Sequence, residues 1–261
     1  MVDEIKCKQV YELLITPIVC TGYSNGKIDI SNVGGIIKST QTYYPYKKWN
    51  APLDEDMSDF AMGFYEIVYK CLLSENKMLK DDNLYDTEFA GDTMNSFNYI
   101  ANLFPEAGRS RNSRTPKSQW PIILQEWEQQ YHCLANFWVI PLEIGRKNDN
   151  EFSKGSYENG INDYVDRFLD LISNPNYFKQ IFSRDYNNIE EFAEKQFLFG
   201  SYLYGDLSVV SYSNETKTPD IMIKRIIDRI KIRASIIANS EYVEELWEYF
   251  HKWNLVRSET T

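Results

Sequence analysis

Apolar residues that recur every three or four positions constrain the fold of this chain more than any other feature of its sequence. That spacing is typical of an amphipathic helix with one buried face. The first such stripe comprises Phe60, Phe64, Ile67, Val68, Cys71 and Leu72. Ser58 or Asp59 can cap the helix that this stripe predicts. Further helices are predicted over residues 4–15, 92–104, 161–172, 189–199, 220–237 and 240–253.

The longest apolar stripe predicts a helix around residues 120–138. It comprises Trp120, Ile123, Leu124, Trp127, Tyr131, Leu134, Ala135 and Trp138. Pro121 stands in the first turn, where a helix tolerates proline. His132 falls on the polar side of this predicted helix, with Glu128 one turn before it and Asn136 one turn after it. A histidine in such a place is either structural or a general acid or base.

The first 50 residues have a different character. Residues 16–42 are rich in Gly, Ser, Asn and β-branched residues, with turn signals at Asn25-Gly26 and Gly34-Gly35. No internal repeat or flexible linker divides the chain. We therefore predict a mainly α fold with a small N-terminal β element. Residues 1–261 would form one globular domain, with a β-containing appendage in residues 1–50 and a helical core in residues 51–261.

Charge and cysteine usage limit the partners and the compartment. The formal charge of −10 disfavours generic binding to nucleic acid, because that binding needs a basic surface. No apolar run approaches the roughly 20 residues of a membrane span, and the N-terminus lacks the basic start of a signal peptide. The four cysteines are scattered, and only two histidines are present, so a multi-histidine metal centre is excluded. We expect a cytoplasmic protein with free thiols and no membrane contact.

Aromatic residues make up 15% of the chain, and two interpretations of them stay open. They can form a rigid core, or they can be displayed as a binding surface. The sequence contains no P-loop, no G-x-S-x-G, no G-x-G-x-x-G and no H-E-x-x-H. The best-known NTPases, α/β-hydrolases, Rossmann enzymes and zincins are therefore not expected.

Polar residues concentrate between residues 86 and 154. If Asp92 caps the predicted helix, Thr93 and Asn95 lie in its first turn beside free backbone N–H groups, which suits an anion. The same residues would also serve an ordinary cap and turn. Asp86, Glu88 and Asp92 are carboxylates of the kind that bind Mg²⁺.

A basic loop follows the predicted helix over residues 92–104. It contains Arg109, Arg111, Arg114 and Lys117, interspersed with Ser, Asn and Thr. Such a loop can grip phosphate groups or an acidic partner surface. The alternative is a solvated surface loop without a ligand.

A short run of residues resembles a known family. Asn136, Asn148, Phe152 and Lys154 match, in order, the Gly-Asn-Leu-Thr-Leu-Leu…Asn…Phe…Lys tail of HNH-type nuclease domains in modification-dependent restriction enzymes, over about twenty residues. That family carries a catalytic His on an upstream strand of a ββα-metal unit, whereas the corresponding residues 91–93 contain none. The runs GDTMNSF and YHCLANF also look like those of uncharacterised hypothetical proteins from bacteria or their mobile elements.

Two functional hypotheses follow. In the first, the chain is a binding or interaction protein without a cofactor, in a bacterial defence or mobile-element context, and its partner is a protein or a phosphate-containing ligand. Its site would comprise Asp92, Thr93, Asn95, Arg109, Arg111, Arg114, His132 and Asn136. The alternative is a divergent Mg²⁺-dependent nuclease or phosphodiesterase. In that case Asp86, Glu88 and Asp92 would hold the metal, while His132 would handle the proton and the arginines would clamp phosphate.

Overall fold

The computed structural model describes residues 3–20, 37–39, 55–73, 89–105, 117–141, 164–182 and 185–256. These residues fall into two compact units. Unit 1 is drawn from Met1–Asp92, His132–Leu142 and Ala234–Thr261. Unit 2 is drawn from Thr93–Tyr131 and Glu143–Arg233. The predicted single domain, with its division at residue 50, stays a prediction.

Helices dominate the described part of the chain, as the apolar spacing predicted. In unit 1 they are α1 (Glu4–Leu14), α2 (Asp59–Val68), α3 (Lys70–Leu73) and α10 (Val243–Lys252). In unit 2 they are α4 (Phe97–Ala101), α5 (Ile122–Gln130), α6 (Val165–Ile172), α7 (Pro175–Phe182) and α8 (Ile189–Lys195). Residues of α9 (Pro219–Ala238) belong to both units. Within these stretches, no helix combines the length and the apolar character needed to cross a membrane.

Unit 1 depends on the packing of α1 and α2 against α10. Ser58 caps α2, as predicted, because its hydroxyl accepts a hydrogen bond from the Ala61 amide at 3.1 Å. Trp247 of α10 donates its indole N–H to the side chain of Gln9 in α1 at 2.7 Å. The ring of Phe60 in α2 contacts three rings at centroid distances of 5.5–5.7 Å, those of Tyr249, Phe250 and Trp253. The apolar stripe of α2 is thus a buried face.

Short strands accompany the helices. They are β1 (Ile18–Cys20), β2 (Ile37–Ser39), β3 (Phe89–Thr93) and β4 (Phe137–Pro141). β1 and β2 pair in parallel, and β3 pairs with β4. The first pair confirms the small β element near the N-terminus. Parallel strands need a crossover connection, so β1 and β2 are not the two arms of a hairpin. The predicted turns at Asn25-Gly26 and Gly34-Gly35 lie outside the described residues.

The predicted helix over residues 92–104 is wrong in its first part. Asp92 lies in β3, and α4 begins only at Phe97. Gly91, Asp92 and the β-branched Thr93 are weak helix formers. Pairing with β4 satisfies their backbone groups in a strand instead. Asp92 is therefore not the cap of a helix.

The predicted helix around residues 120–138 is too long. α5 ends at Gln130, and a short 3₁₀ helix, Leu134–Asn136, leads into β4. The successive residues 137–140, Phe-Trp-Val-Ile, are all fully buried, which fits a strand covered on both faces. A run of consecutive apolar residues also has apolar residues at helical spacing. The predicted helix was therefore extended past its true end. His132 consequently lies in a connection and not on the side of a helix.

The aromatic residues of the described part lie mainly in the core. In unit 2 the ring centroids of Phe178, Phe182 and Phe192 lie 4.6–6.3 Å from one another. Among the residues that the structure describes, the large hydrophobic side chains left exposed are Ile5, Ile122, Tyr204 and Ile221. For these stretches, the high aromatic content therefore reflects core packing.

Replacing Gly63 with Ala tests the contact between α2 and α10. A Cβ atom at Gly63 would lie 2.5 Å from the ring of Tyr249, whose hydroxyl donates to the Phe60 carbonyl at 2.9 Å. We expect Gly63→Ala to lower the free energy of unfolding by about 1–3 kcal/mol in urea denaturation, despite the roughly 1 kcal/mol that Ala gains in a helix. Gly205→Ala is the control, since nothing lies within 4 Å of its Cβ position. Equal stability of the two variants would contradict the packing described here.

Candidate functional site

The residues singled out from the sequence divide into two groups. Asp92, Thr93, Asn95, His132 and Asn136 lie in the described part of the chain. Outside it lie Asp86, Glu88, Arg109, Arg111, Arg114, Asn148, Phe152 and Lys154. The roles of this second group stay predictions.

His132 forms a close pair with Glu55 in unit 1. Its Nδ1 atom lies 2.8 Å from Oε2 of Glu55, and the two side chains are 12% and 15% exposed. That oxygen has no hydrogen bond of good geometry in the described part, so the pair is a close contact rather than a straight hydrogen bond. The His132 carbonyl also accepts a hydrogen bond from the Ile18 amide at 2.8 Å, which fixes the backbone.

Asp92 lies on β3, close to the segment that carries Glu55. Its Oδ2 atom accepts a hydrogen bond from the indole N–H of Trp138 in β4 at 3.1 Å. A Cβ atom at the preceding Gly91 would lie 2.5 Å from the Asp56 carbonyl oxygen, so β3 runs directly against the 3₁₀ helix Glu55–Met57. Only glycine allows this close approach. The strand bearing Asp92 and the Glu55–His132 pair therefore belong to one region of unit 1.

Two further sequence predictions concern unit 1: Asn136 as a binding residue, and acidic residues as ligands of Mg²⁺. Asn136 is fully buried in the 3₁₀ helix Leu134–Asn136, and its backbone N–H donates to the Cys133 carbonyl at 2.9 Å. Within the described stretches, no group of three or more His, Cys, Asp or Glu side chains could hold a metal ion. The predicted Mg²⁺ ligands Asp86 and Glu88 lie outside those stretches, so the metal site stays a prediction.

Asn95 is part of a buried hydrogen-bond network in unit 2. It is 1% exposed, and its side-chain amide donates to the Tyr202 hydroxyl at 3.0 Å. Its side-chain oxygen accepts a short hydrogen bond from the Tyr212 hydroxyl. Thr93 is also buried, and both residues precede α4 instead of lying in its first turn. Asn95 therefore has a structural role, which its local sequence did not indicate.

Asp166 is the charged centre of the same network. Its Oδ2 atom accepts hydrogen bonds from the amides of Tyr212 at 2.8 Å and Ser213 at 2.7 Å. Its Oδ1 atom accepts from the Arg167 amide at 3.0 Å. Burial, followed by the negative charge of Asp166, raises the pKa of Asp170 one turn later. The pKa of Tyr212 is raised well above its ordinary value, chiefly by burial, so its hydroxyl stays a donor.

A second feature of unit 2 is a set of packed aromatic residues together with the adjacent Ser96, here called the donor cluster: Ser96, Phe97, Trp120, Trp127 and Tyr131. Phe97 stacks on Trp120 with ring centroids 5.7 Å apart and lies 5.4 Å from Tyr131, which lies 6.0 Å from Trp127. The indole N–H groups of Trp120 and Trp127 are buried without a hydrogen-bond partner among the described residues. The Ser96 hydroxyl is buried in the same way.

Unpaired buried donors carry a free-energy penalty that calls for a partner. Leaving one such group unsatisfied costs about 1–3 kcal/mol, and native proteins pair most of them with protein, water or ligand. The sequence predicted the two tryptophans as core residues only. Their lack of partners depends on neighbours that are distant in the chain, so spacing alone gives no signal for it.

Comparison of the chain with protein-family models, with curated proteins and with solved structures finds no match. The resemblance to the tail of HNH-type nuclease domains therefore stays a prediction.

Replacing Asp166 with Asn tests the charged centre of the unit 2 network. An Asn amide would turn an N–H group toward backbone N–H donors, so we expect the free energy of unfolding to fall by about 3 kcal/mol in urea. Asp170→Asn is the matched control on the same helix. Because the pKa of Asp170 is raised, folding disfavours its charged form, and a neutral side chain should leave stability at pH 7 unchanged or slightly higher. Equal losses in both variants would contradict the assigned role of Asp166.

Proposed function

We propose that this chain is a binding protein that recognises a phosphate-containing ligand through the donor cluster and the arginines of the basic loop, Arg109, Arg111 and Arg114. Both belong to the polar segment 86–154 that the sequence singled out. The proposal includes a cytoplasmic location and a bacterial defence or mobile-element context, which depend on the sequence alone.

The unpaired donors of the donor cluster are the observation that carries this proposal. An indole N–H can only donate, so Trp120 and Trp127 need an acceptor as partner. Phosphate oxygens are acceptors, and they are negatively charged, which strengthens the hydrogen bonds that they receive. A hydroxyl such as that of Ser96 can donate to the same group.

The basic loop supplies the charge that the donor cluster lacks. Along the chain it connects the stretch containing α4 with the 3₁₀ helix Lys117–Gln119, and Trp120 follows directly. Arg109, Arg111 and Arg114 can bind phosphate in the bidentate manner of a guanidinium group. Under this proposal the arginines hold the ligand, and the buried Asn95 fixes the backbone just before Ser96.

Removing two arginines tests the proposed binding. We expect wild-type protein to bind pyrophosphate or a nucleoside monophosphate in isothermal titration, and Arg111→Ala/Arg114→Ala to weaken this binding at least about tenfold, since each charged hydrogen bond contributes about 1.5–3 kcal/mol. Stability should change by less than about 0.5 kcal/mol per site. Lys224→Ala/Lys231→Ala removes the same charge from exposed positions of α9 and should leave binding unchanged. A wild-type protein that binds neither probe, or arginine variants that unfold, would refute this assignment.

The Glu55–His132 pair favours a second candidate, a divergent Mg²⁺-dependent nuclease. A carboxylate next to Nδ1 orients an imidazole for proton transfer. In this proposal Asp86, Glu88 and Asp92 would hold Mg²⁺, which would polarise the scissile phosphate. His132 would handle the proton, although it does not occupy the position of the family's histidine.

Nuclease assays separate the two candidates. Purified protein is incubated with single- and double-stranded DNA and RNA in the presence of Mg²⁺ or Mn²⁺. If the second candidate holds, His132→Gln should reduce cleavage about 100-fold or more, because proton transfer contributes on that order. Asp92→Asn should also reduce cleavage, while the exposed His251→Gln serves as control. Intact substrates under every condition would exclude the nuclease and leave the binding protein.

A further inference from the structure

A groove in unit 2 lies between the end of α6, the helix α7 and the start of α8. It encloses a volume of about 470 Å³. The residues that line it include Ile172, Ser173, Pro175, Phe178, Lys179, Tyr186 and Asn187. Clefts that bind small molecules usually have volumes of about 300–1,000 Å³ and are mostly apolar, so this groove has the size of a ligand site.

The floor of the groove is apolar and preformed. Ile172, Phe178 and Tyr186 are all buried. The Tyr186 ring packs on Phe192 with centroids 5.1 Å apart, and its hydroxyl accepts a hydrogen bond from the Gln196 side chain at 2.9 Å. Because these rings are already fixed by the core, a ligand would not need to order them on binding.

Lys179 supplies a positive charge at the rim of the groove. Lys179 lines the groove and is exposed, and it forms no ion pair with any residue that the structure describes. The neighbouring acid Glu191 is occupied by Lys195 and by the amide and side chain of Asn187 at 2.7 and 2.8 Å. Chiefly the hydrogen bond from Lys195 lowers the pKa of Glu191. The charge of Lys179 is therefore not neutralised by Glu191.

We propose that this groove binds a small amphiphilic carboxylic acid, with its apolar body on the floor and its carboxylate against Lys179. The Lys179 ammonium group can form a charge-assisted hydrogen bond with this carboxylate. The exposed side chain of Asn187 donates one N–H to Glu191 and has a second N–H that can donate to a carboxylate at the rim. This site is separate from the donor cluster and does not depend on the proposed phosphate binding.

Three probes that differ only in their head group test this proposal on the full chain. They are 4-phenylbutyrate, the neutral 4-phenylbutyramide and the cationic 4-phenylbutylamine, each measured by isothermal titration. We expect the acid to bind, the amide to bind about tenfold more weakly because it loses the charge-assisted contact, and the amine not to bind. Lys179→Gln should reduce affinity for the acid to that for the amide.

Two further variants separate loss of the site from loss of the fold. Ser173→Trp fills the groove from the exposed end of α6 and should abolish binding of both the acid and the amide. Lys224→Gln removes the same charge from an exposed position of α9 and should leave affinity unchanged. Equal affinity for acid and amide, unchanged affinity in Lys179→Gln, or no heat with any of the three probes would overturn the proposal.

Discussion

The buried carboxylate of Asp166 is the interaction on which the organisation of unit 2 depends. A charge taken out of water costs several kcal/mol unless it is fully paired, and here three backbone amides pair it. These bonds fix residues 212–213 against the first turn of α6. Tyr212 is thereby positioned to donate to Asn95, directly before Ser96 and Phe97 of the donor cluster. The polar network thus determines where the candidate binding residues of unit 2 lie.

The two proposed sites of unit 2 would bind their ligands through different interactions. The donor cluster has buried hydrogen-bond donors and needs acceptors, whereas the groove beside α7 has an apolar floor and the exposed cation Lys179. The donor cluster would select ligands by their hydrogen-bond acceptors. The groove would select ligands by their hydrophobic area together with a negative charge. In unit 1, the second proposed function would instead use the Glu55–His132 pair for proton transfer.

Sequence reasoning succeeded where one local period decided the structure. Phe60 and Phe64 form the buried face of α2 behind the Ser58 cap, as their spacing predicted. The prediction from sequence failed at residues 137–140, where consecutive apolar residues satisfy the helical period and the strand period equally. Gly91-Asp92-Thr93 was misread because its strand pairing with β4 is non-local. Glu55 was missed for the same reason, since nothing near His132 in the sequence indicates its partner.

The pairing of Gln9 with Trp247 spans 238 positions of the chain and has a consequence for synthesis. α1 and α2 emerge from the ribosome long before α10, the helix that covers their apolar faces. Closing so long a loop adds little to the free-energy cost of folding at equilibrium, because the entropy lost on loop closure grows only with the logarithm of loop length. The kinetic effect is larger, since those faces stay exposed until α10 has been synthesised. A chaperone that binds the nascent chain would protect these faces of unit 1 during that interval.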